Sequence, residues 1–277
     1  MTRKDNHKIV IMPAVKPKKF LGQHFLKDLD IARRIADTLD EFEGVPVIEV
    51  GPGMGVLTQF LIEKNKELTV VELDKESVPY LNEHYPTLQG NIIEADFLKL
   101  ELTSIYKDQF CVIGNYPYNI SSQIFFKILD YKNHVPCCSG MLQKEVAERI
   151  AAPPGSKTYG ILSVLLQAWY NVEYLFTVSE KVFDPPPKVK SAVVKLVRNE
   201  RQTLSCDEKL FKTVVKTGFN QRRKTLRNSM KPLLGKECEA FNDPIFGERP
   251  ERLSVADFEK LTNIVAANLP GRDREKK

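Results

Sequence analysis

Four short apolar runs between residues 45 and 118 each stop at a glycine, an acid or an amide: "VPVIEVG", "ELTVVELD", "GNIIEADF" and "QFCVIGNYPY". Helical stretches follow three of them, "VLTQFLIEK", "KESVPYLNEHY" and "ISSQIFFKILDY", with apolar residues at three- and four-residue spacing. Buried strands alternating with helices of this length imply βαβ units and a mostly parallel sheet, because a parallel neighbour needs a crossover. The pattern continues through "CCSGMLQKEVAERIAA" and "YGILSVLLQAWY" to two further strands, "NVEYLFTVS" and "SAVVKLV". Only the loop "VFDPPPKVK" separates that last pair, so the two are expected to run antiparallel. Upstream, "DLDIARRIADTLDEF" reads as a helix with Asp28 as its N-cap and Ile31, Ile35 and Leu39 on one face.

Past residue 198 the character changes. "RNERQTLSCDE" is polar and without period, and every patterned segment after it is helical. The expected organisation is an arm over residues 1–17, an α/β domain over 18–200 and a small all-helical domain over 208–270. No run of about 18 apolar residues is present, so no membrane span is expected and a cytoplasmic protein is. The 5 cysteines form no C-x-x-C pair and the 4 histidines are scattered, which argues against a disulfide framework and against a metal site.

The glycine loop "EVGPGMG" lies between a strand and a helix, where a nucleotide loop belongs. By itself it fits NAD, FAD or S-adenosylmethionine. Gly51, Gly53 and Gly55 give G-x-G-x-G, with Val56 where a dinucleotide fingerprint places its third glycine. Glu72 ends the second strand at a distance that suits the two ribose hydroxyls, and Asp96 ends the third where it can reach an adenine edge. Two successive strand-end carboxylates and no open pyrophosphate loop favour S-adenosylmethionine. The competing reading is a tight turn with two solvated carboxylates.

Asn115, Tyr116, Pro117 and Tyr118 close the fourth strand beside the point where such sheets bind ligands. Methyl transfer to an exocyclic adenine nitrogen needs that nitrogen's lone pair freed from the ring. Two acceptors on its N–H groups do so: Asn115 Oδ1, and the Tyr116 carbonyl, whose residue Pro117 restricts to an extended conformation. Tyr118 can stack on the base and Phe183 can close its other face. The base must leave its stack to enter. Without the cofactor loop beside it, the tetrapeptide reads equally well as a strand-ending turn with two core aromatics.

Charge is local. Residues 1–27 hold 7 Lys/Arg against one Asp, and residues 209–236 hold 9 Lys/Arg and no acid, in a chain of net charge +5. Two basic stretches on a near-neutral body suit an extended polyanion. A basic helix around Arg222, Arg223, Lys224, Arg227 and Lys231 is the expected phosphate-holding surface.

"KKFLGQHFL", "VIEVGPGMG", "VVELD", "EADFL", "GNYPYNISS", "VFDPPPKVKSAVV", "FNQRRKTLRNSMK" and "RPERLS" stand in this order. Together they resemble the KsgA/RsmA-type rRNA adenine N6,N6-dimethyltransferases over nearly the whole chain, from Lys18 to Leu261. The resemblance implies a class I methyltransferase fold (Rossmann-like) with a helical C-terminal domain. It also implies dimethylation, by S-adenosylmethionine, of two adjacent adenosines near the 3′ end of small-subunit (16S) rRNA, during assembly of the 30S particle. Cofactor contacts by resemblance are His24, Leu26, Gly51, Gly53, Glu72, Asp96 and Asn115; target-base contacts are Asn115, Pro117, Tyr118 and Phe183. A monomer without a metal is expected. His24 stands where the family usually has asparagine, and Tyr116 where it often has leucine. Two rivals share the fold: a large-subunit rRNA adenine methyltransferase of the antibiotic-resistance type, and a non-catalytic assembly factor.

Overall fold

The computed structural model describes residues 15–18, 21–64 and 66–270. The arm expected over residues 1–17 lies outside the described residues except for its last three positions.

In chain order the elements are β1 (Phe25–Leu26), α1 (Leu29–Asp37), β2 (Val47–Val50), α2 (Thr58–Glu63), β3 (Leu68–Glu72), α3 (Ser77–His84) and β4 (Ile92–Glu94). Next come β5 (Cys111–Asn115), α4 (Ser121–Asp130), β6 (Cys137–Gln143), α5 (Lys144–Ala151), α6 (Ile161–Gln167) and β7 (Tyr170–Val178). The chain closes with β8 (Phe183–Asp184), β9 (Ser191–Arg198), α7 (Glu208–Asn220), α8 (Leu226–Ser229), α9 (Lys231–Leu234) and α10 (Val255–Ala267). Asp28 caps α1, accepting from the N–H groups of Asp30 and Ile31.

Seven strands form one sheet in the order β4-β3-β2-β5-β6-β9-β7. The first five are parallel, and β9 runs antiparallel to both of its neighbours, β6 and β7. The proline-rich loop thus connects an antiparallel pair, as its length requires. From β2 the order runs outward through β3 to β4, then returns to β5 on the other side. That reversal opens a crevice at the carboxyl ends of β2 and β5, where ligands bind in sheets of this kind.

Both faces of the sheet are covered at its centre, which explains why β2, β3 and β5 are apolar at most positions. Val47, Val70, Cys111 and Ile113 point into a layer with Ile35, Leu61 and Leu81. Ile48, Val112 and Cys138 point the other way, toward Phe125, Leu165 and Leu166. The second core continues without a break into the C-terminal helices, through Phe211, Val214, Phe258 and Leu261. An ion pair between Arg201 and the buried Glu259, whose other oxygen accepts from the Ser205 N–H at 2.9 Å, fixes the connecting segment.

One expectation is corrected. The basic stretch does not form a single helix. α7 stops at Asn220, and Gln221–Lys224 form a turn in which the Lys224 N–H donates to the Gln221 carbonyl at 2.8 Å. The Leu226 N–H then donates to Glu248 rather than up the helix, and Pro232, which has no N–H to give, opens α9. Among the described residues no helix is long and apolar enough to cross a membrane.

Candidate active site: a cofactor cleft beside an acceptor loop

The cleft is walled by the glycine loop after β2, the ends of β3, β4 and β5, and the segment Leu21–Leu26. His24, Leu26, Gly51, Gly53, Glu72, Asp96, Asn115, Tyr116, Pro117 and Tyr118 all line it. The sheet thus brings together residues that lie as much as 94 positions apart in sequence.

Glu72 is 5% exposed, and both of its oxygens are engaged by backbone. Oε2 accepts from the Gly53 N–H at 2.9 Å and Oε1 from the Asp74 N–H at 2.8 Å. Gly53 can aim its N–H this way because its φ is +57°, and a Cβ there would press on the Phe25 ring at 3.1 Å. Burial raises the Glu72 pKa against these N–H donors. Each oxygen keeps a lone pair for a hydroxyl. Asp96 Oδ1 accepts from the Leu98 N–H at 3.0 Å, and Oδ2 lies 3.7 Å from the Lys99 ammonium.

The acceptor loop is fixed from both sides. The Asn115 Nδ2 donates to the His24 carbonyl at 3.2 Å. A carbonyl only accepts, so the amide's nitrogen is committed there and Oδ1 is turned the other way. The Pro117 ring faces the glycine loop, 3.7 Å from where a Gly51 Cβ would stand. Cofactor loop and acceptor loop are therefore neighbours in the wall of one cleft.

The Tyr116 ring, for which sequence offered no role, is the anchor of this loop. It is 1% exposed, its hydroxyl donates to the Ser139 carbonyl at 2.7 Å, and it meets Phe125 edge-on at 5.7 Å. It lies over Gly114 and Gly140; a Cβ on Gly140 would stand 2.7 Å from the ring and 2.3 Å from the Gly114 carbonyl oxygen. Tyr118 is held at its hydroxyl by Ser191 and lies 5.3 Å from the His24 ring, tilted by 33°. His24 Nδ1 donates to the Pro185 carbonyl at 2.8 Å, so its hydrogen sits on that nitrogen.

Phe183 departs from its expected place. It is 1% exposed, pairs with Leu26 across β1 and β8, and is not among the residues lining the cleft. Its ring is core in this structure, because the β1–β8 pairing turns it inward.

Sequence reasoning missed four supporting residues. Asp74, whose side chain is fully buried, accepts from Lys18 and from Gln23 Nε2 at 2.9 Å, tying the N-terminal segment to the loop that follows Glu72. Burial alone would raise the Asp74 pKa; Lys18, Gln23 and the Glu76 N–H hold it below the usual value. Tyr85 donates to the Gly55 carbonyl at 2.9 Å from beneath the glycine loop. Glu49 is 1% exposed with an unpartnered Oε2. Burial, and the nearby Glu72, push its pKa from 4.5 to about 8 against the pull of Thr58. The fourth is Ser191. Asp74 and Glu49 were visible as acids flanking the two strand ends; Tyr85 and Ser191 carried no local signal.

No lysine or arginine lines the cleft among the described residues, while the acids Glu72 and Asp96 do, beside Glu49, whose raised pKa keeps it largely protonated at neutral pH. This lining repels a pyrophosphate and suits a cofactor bearing a sulfonium and an ammonium, so the residues present fit S-adenosylmethionine.

The ribosomal RNA adenine dimethylase family model matches residues 14–266. The chain belongs to the ribosomal RNA adenine dimethylase family. It is 74% identical over 258 residues to ribosomal RNA small subunit methyltransferase A of Parabacteroides distasonis, covering 93% of this chain and 97% of that one. Among solved structures it resembles a dimethyladenosine transferase from Plasmodium falciparum, with TM-score 0.70 and 25% identity over 86% of this chain and 96% of the other. The 23S rRNA methyltransferase ErmE matches with TM-score 0.66 and 24% identity, covering 87% of this chain and 99% of that one, a likeness of fold. The architecture is that of the class I methyltransferases.

The basic residues divide. Arg222 is docked, its guanidinium donating to the carbonyls of Ser156 and Lys157, and Arg227 donates to the Phe241 carbonyl. Lys231 reaches Asn228 Oδ1 at 3.1 Å. Arg223 and Lys224 are exposed and have no side-chain partner among the described residues.

Proposed function

We propose that the chain dimethylates the N6 amino groups of two adjacent adenosines near the 3′ end of small-subunit rRNA, using S-adenosylmethionine, in the cytoplasm on an assembling particle. The observation that carries this reading is the committed Asn115 amide, whose Oδ1 is left as an acceptor in the cleft that the cofactor loop also lines. When bound, the cofactor supplies an electrophilic methyl. Glu72 holds the ribose hydroxyls and Asp96 the adenine edge.

Asn115 Oδ1 and the Tyr116 carbonyl accept the two N–H groups of the target, which localises the nitrogen lone pair and aims it along the line of attack. Tyr118 supports the base from one face. The proton leaves after the methyl arrives, so these two oxygens need only hold it in place and no strong base is required. Arg223 and Lys224 hold rRNA phosphate.

A small-subunit target is favoured over a large-subunit one by the relative at 74% identity, which is named for the small subunit. Incubation of the protein with labelled S-adenosylmethionine and unmethylated small subunits, followed by mapping of the modified nucleotides, tests the reading. Label in two adjacent adenosines near the 3′ end supports it; label only in large-subunit rRNA, or none, overturns it.

A further inference from the structure

Ser191 opens β9 within "KVKSAVV", a stretch to which the proposed chemistry assigns no task. Its side chain is completely buried, yet its hydroxyl is hydrogen-bonded to the hydroxyl of Tyr118, which reaches it from the cleft wall. The backbone beneath is rigid. Ser191 is paired with Gln143 of β6 on one side and Val178 of β7 on the other. Tyr118 itself follows a proline and precedes α4, whose first residue, Ser121, donates to the Tyr118 carbonyl at 3.4 Å. A tyrosine has two free torsions, χ1 and χ2. Holding its para position to a central strand while Pro117 fixes the backbone leaves the ring one orientation. The His24 imidazole, 5.3 Å away, closes off rotation toward the N-terminal segment.

We infer that Ser191 is a positioning residue for the target base: it pins the Tyr118 hydroxyl so that the ring presents its face, and not its polar edge, to the entering adenine. This rests on the reading of Tyr118 as the stacking plate. An unpinned ring can turn its edge toward the base site, where the entering adenine needs a face. The pin sets the ring plane before the base arrives, so the gain is one of orientation. It acts on the methyl acceptor alone. Ser191 is not among the residues lining the cofactor cleft, so binding of the methyl donor should not register its loss.

The test is a double-mutant cycle of Ser191→Ala and Tyr118→Phe, assayed on unmethylated small subunits, with S-adenosylhomocysteine titration as the measure of an intact cleft. Each single variant removes the same hydrogen bond from one end. The expected result is a fall of about tenfold in kcat/KM for subunits in Ser191→Ala, unchanged S-adenosylhomocysteine affinity, and no further fall in the double variant. Tyr118→Leu, which removes the plate, is expected to be at least a further tenfold slower. Full activity of Tyr118→Leu overturns the plate and the pin together. A slow Tyr118→Leu with Ser191→Ala at the wild-type rate overturns the pin and leaves the plate standing. Strictly multiplicative losses in the cycle also overturn the pin, since they assign Ser191 a separate packing role. Should Ser191→Ala not fold, Tyr118→Phe breaks the bond from the cleft side, and wild-type rates there overturn the pin equally.

Discussion

Glu72 and Arg223 hold their charges in opposite ways. The carboxylate is buried at a strand end, with a backbone N–H from a different loop on each oxygen. The guanidinium stands exposed on a turn and bonds to nothing among the described residues. The groups of the cleft are held by the chain's own hydrogen bonds and have little freedom left to lose. The turn is unassembled, and its side chains are ordered only by what they bind. A small cofactor and a base, which must be aligned to fractions of an ångström, call for the first arrangement. A long polyanion that must be gripped and then released calls for the second.

The sharpest way to break this contrast is at Asn115. If the cleft is preassembled, Asn115→Ala should lower methyl transfer to small subunits by about 10²–10³-fold, with S-adenosylmethionine binding largely kept. Equal losses in both would mean that Asn115 holds the cleft together instead of serving the target.

Glu49 probes the burial itself. The folded chain keeps a proton up to about pH 8 that the unfolded chain gives up near pH 4.5. Stability should therefore fall as pH rises between those values, by about 1.4 kcal/mol per unit at most. Glu49→Gln, which resembles the neutral acid, should lack this dependence. Urea unfolding at pH 5, 6.5 and 8 reads the difference, and parallel curves for the two proteins would show Glu49 ionised when folded.

On the turn, replacing Arg223 and Lys224 together by alanine should weaken subunit binding about tenfold at low salt and lower the salt slope by roughly one for each phosphate no longer gripped. Arg222→Ala should behave differently. Its guanidinium joins the C-terminal helices to the loop at Ser156 and Lys157, so the expected effect is a stability loss of about 1 kcal/mol with an unaltered salt slope. A salt slope that drops as far in Arg222→Ala as in Arg223→Ala or Lys224→Ala would return Arg222 to the RNA surface.

The two regions also differ in how far they could be read from sequence. Strand ends are legible because a buried parallel strand must be apolar throughout, so Glu72, Asp96 and Asn115 stand out at the first polar position or near it. Their convergence needed only the rule of the switch point. The basic stretch is legible as charge and not as structure. Nothing in "QRRKTLRNSMK" tells that the Leu226 N–H bonds to Glu248 or that Arg222 finds two carbonyls in a distant loop. Phe183 failed for the same reason. Its neighbours in sequence suggest a loop, while its place is set by pairing with Leu26, 157 residues earlier.

The slot that receives the Tyr116 ring is closed by backbone as well as by the ring. A Cβ on Gly114 would stand 2.6 Å from the Val50 carbonyl oxygen, and one on Gly140 2.3 Å from the Gly114 carbonyl oxygen. A relative with leucine at 116 presents a shorter, narrower plug there but gains no room for a side chain at either glycine. Both glycines are therefore required whatever residue stands at 116. A substitution on β6, outside the catalytic loop, would reach the target by moving the strand that ends at Asn115.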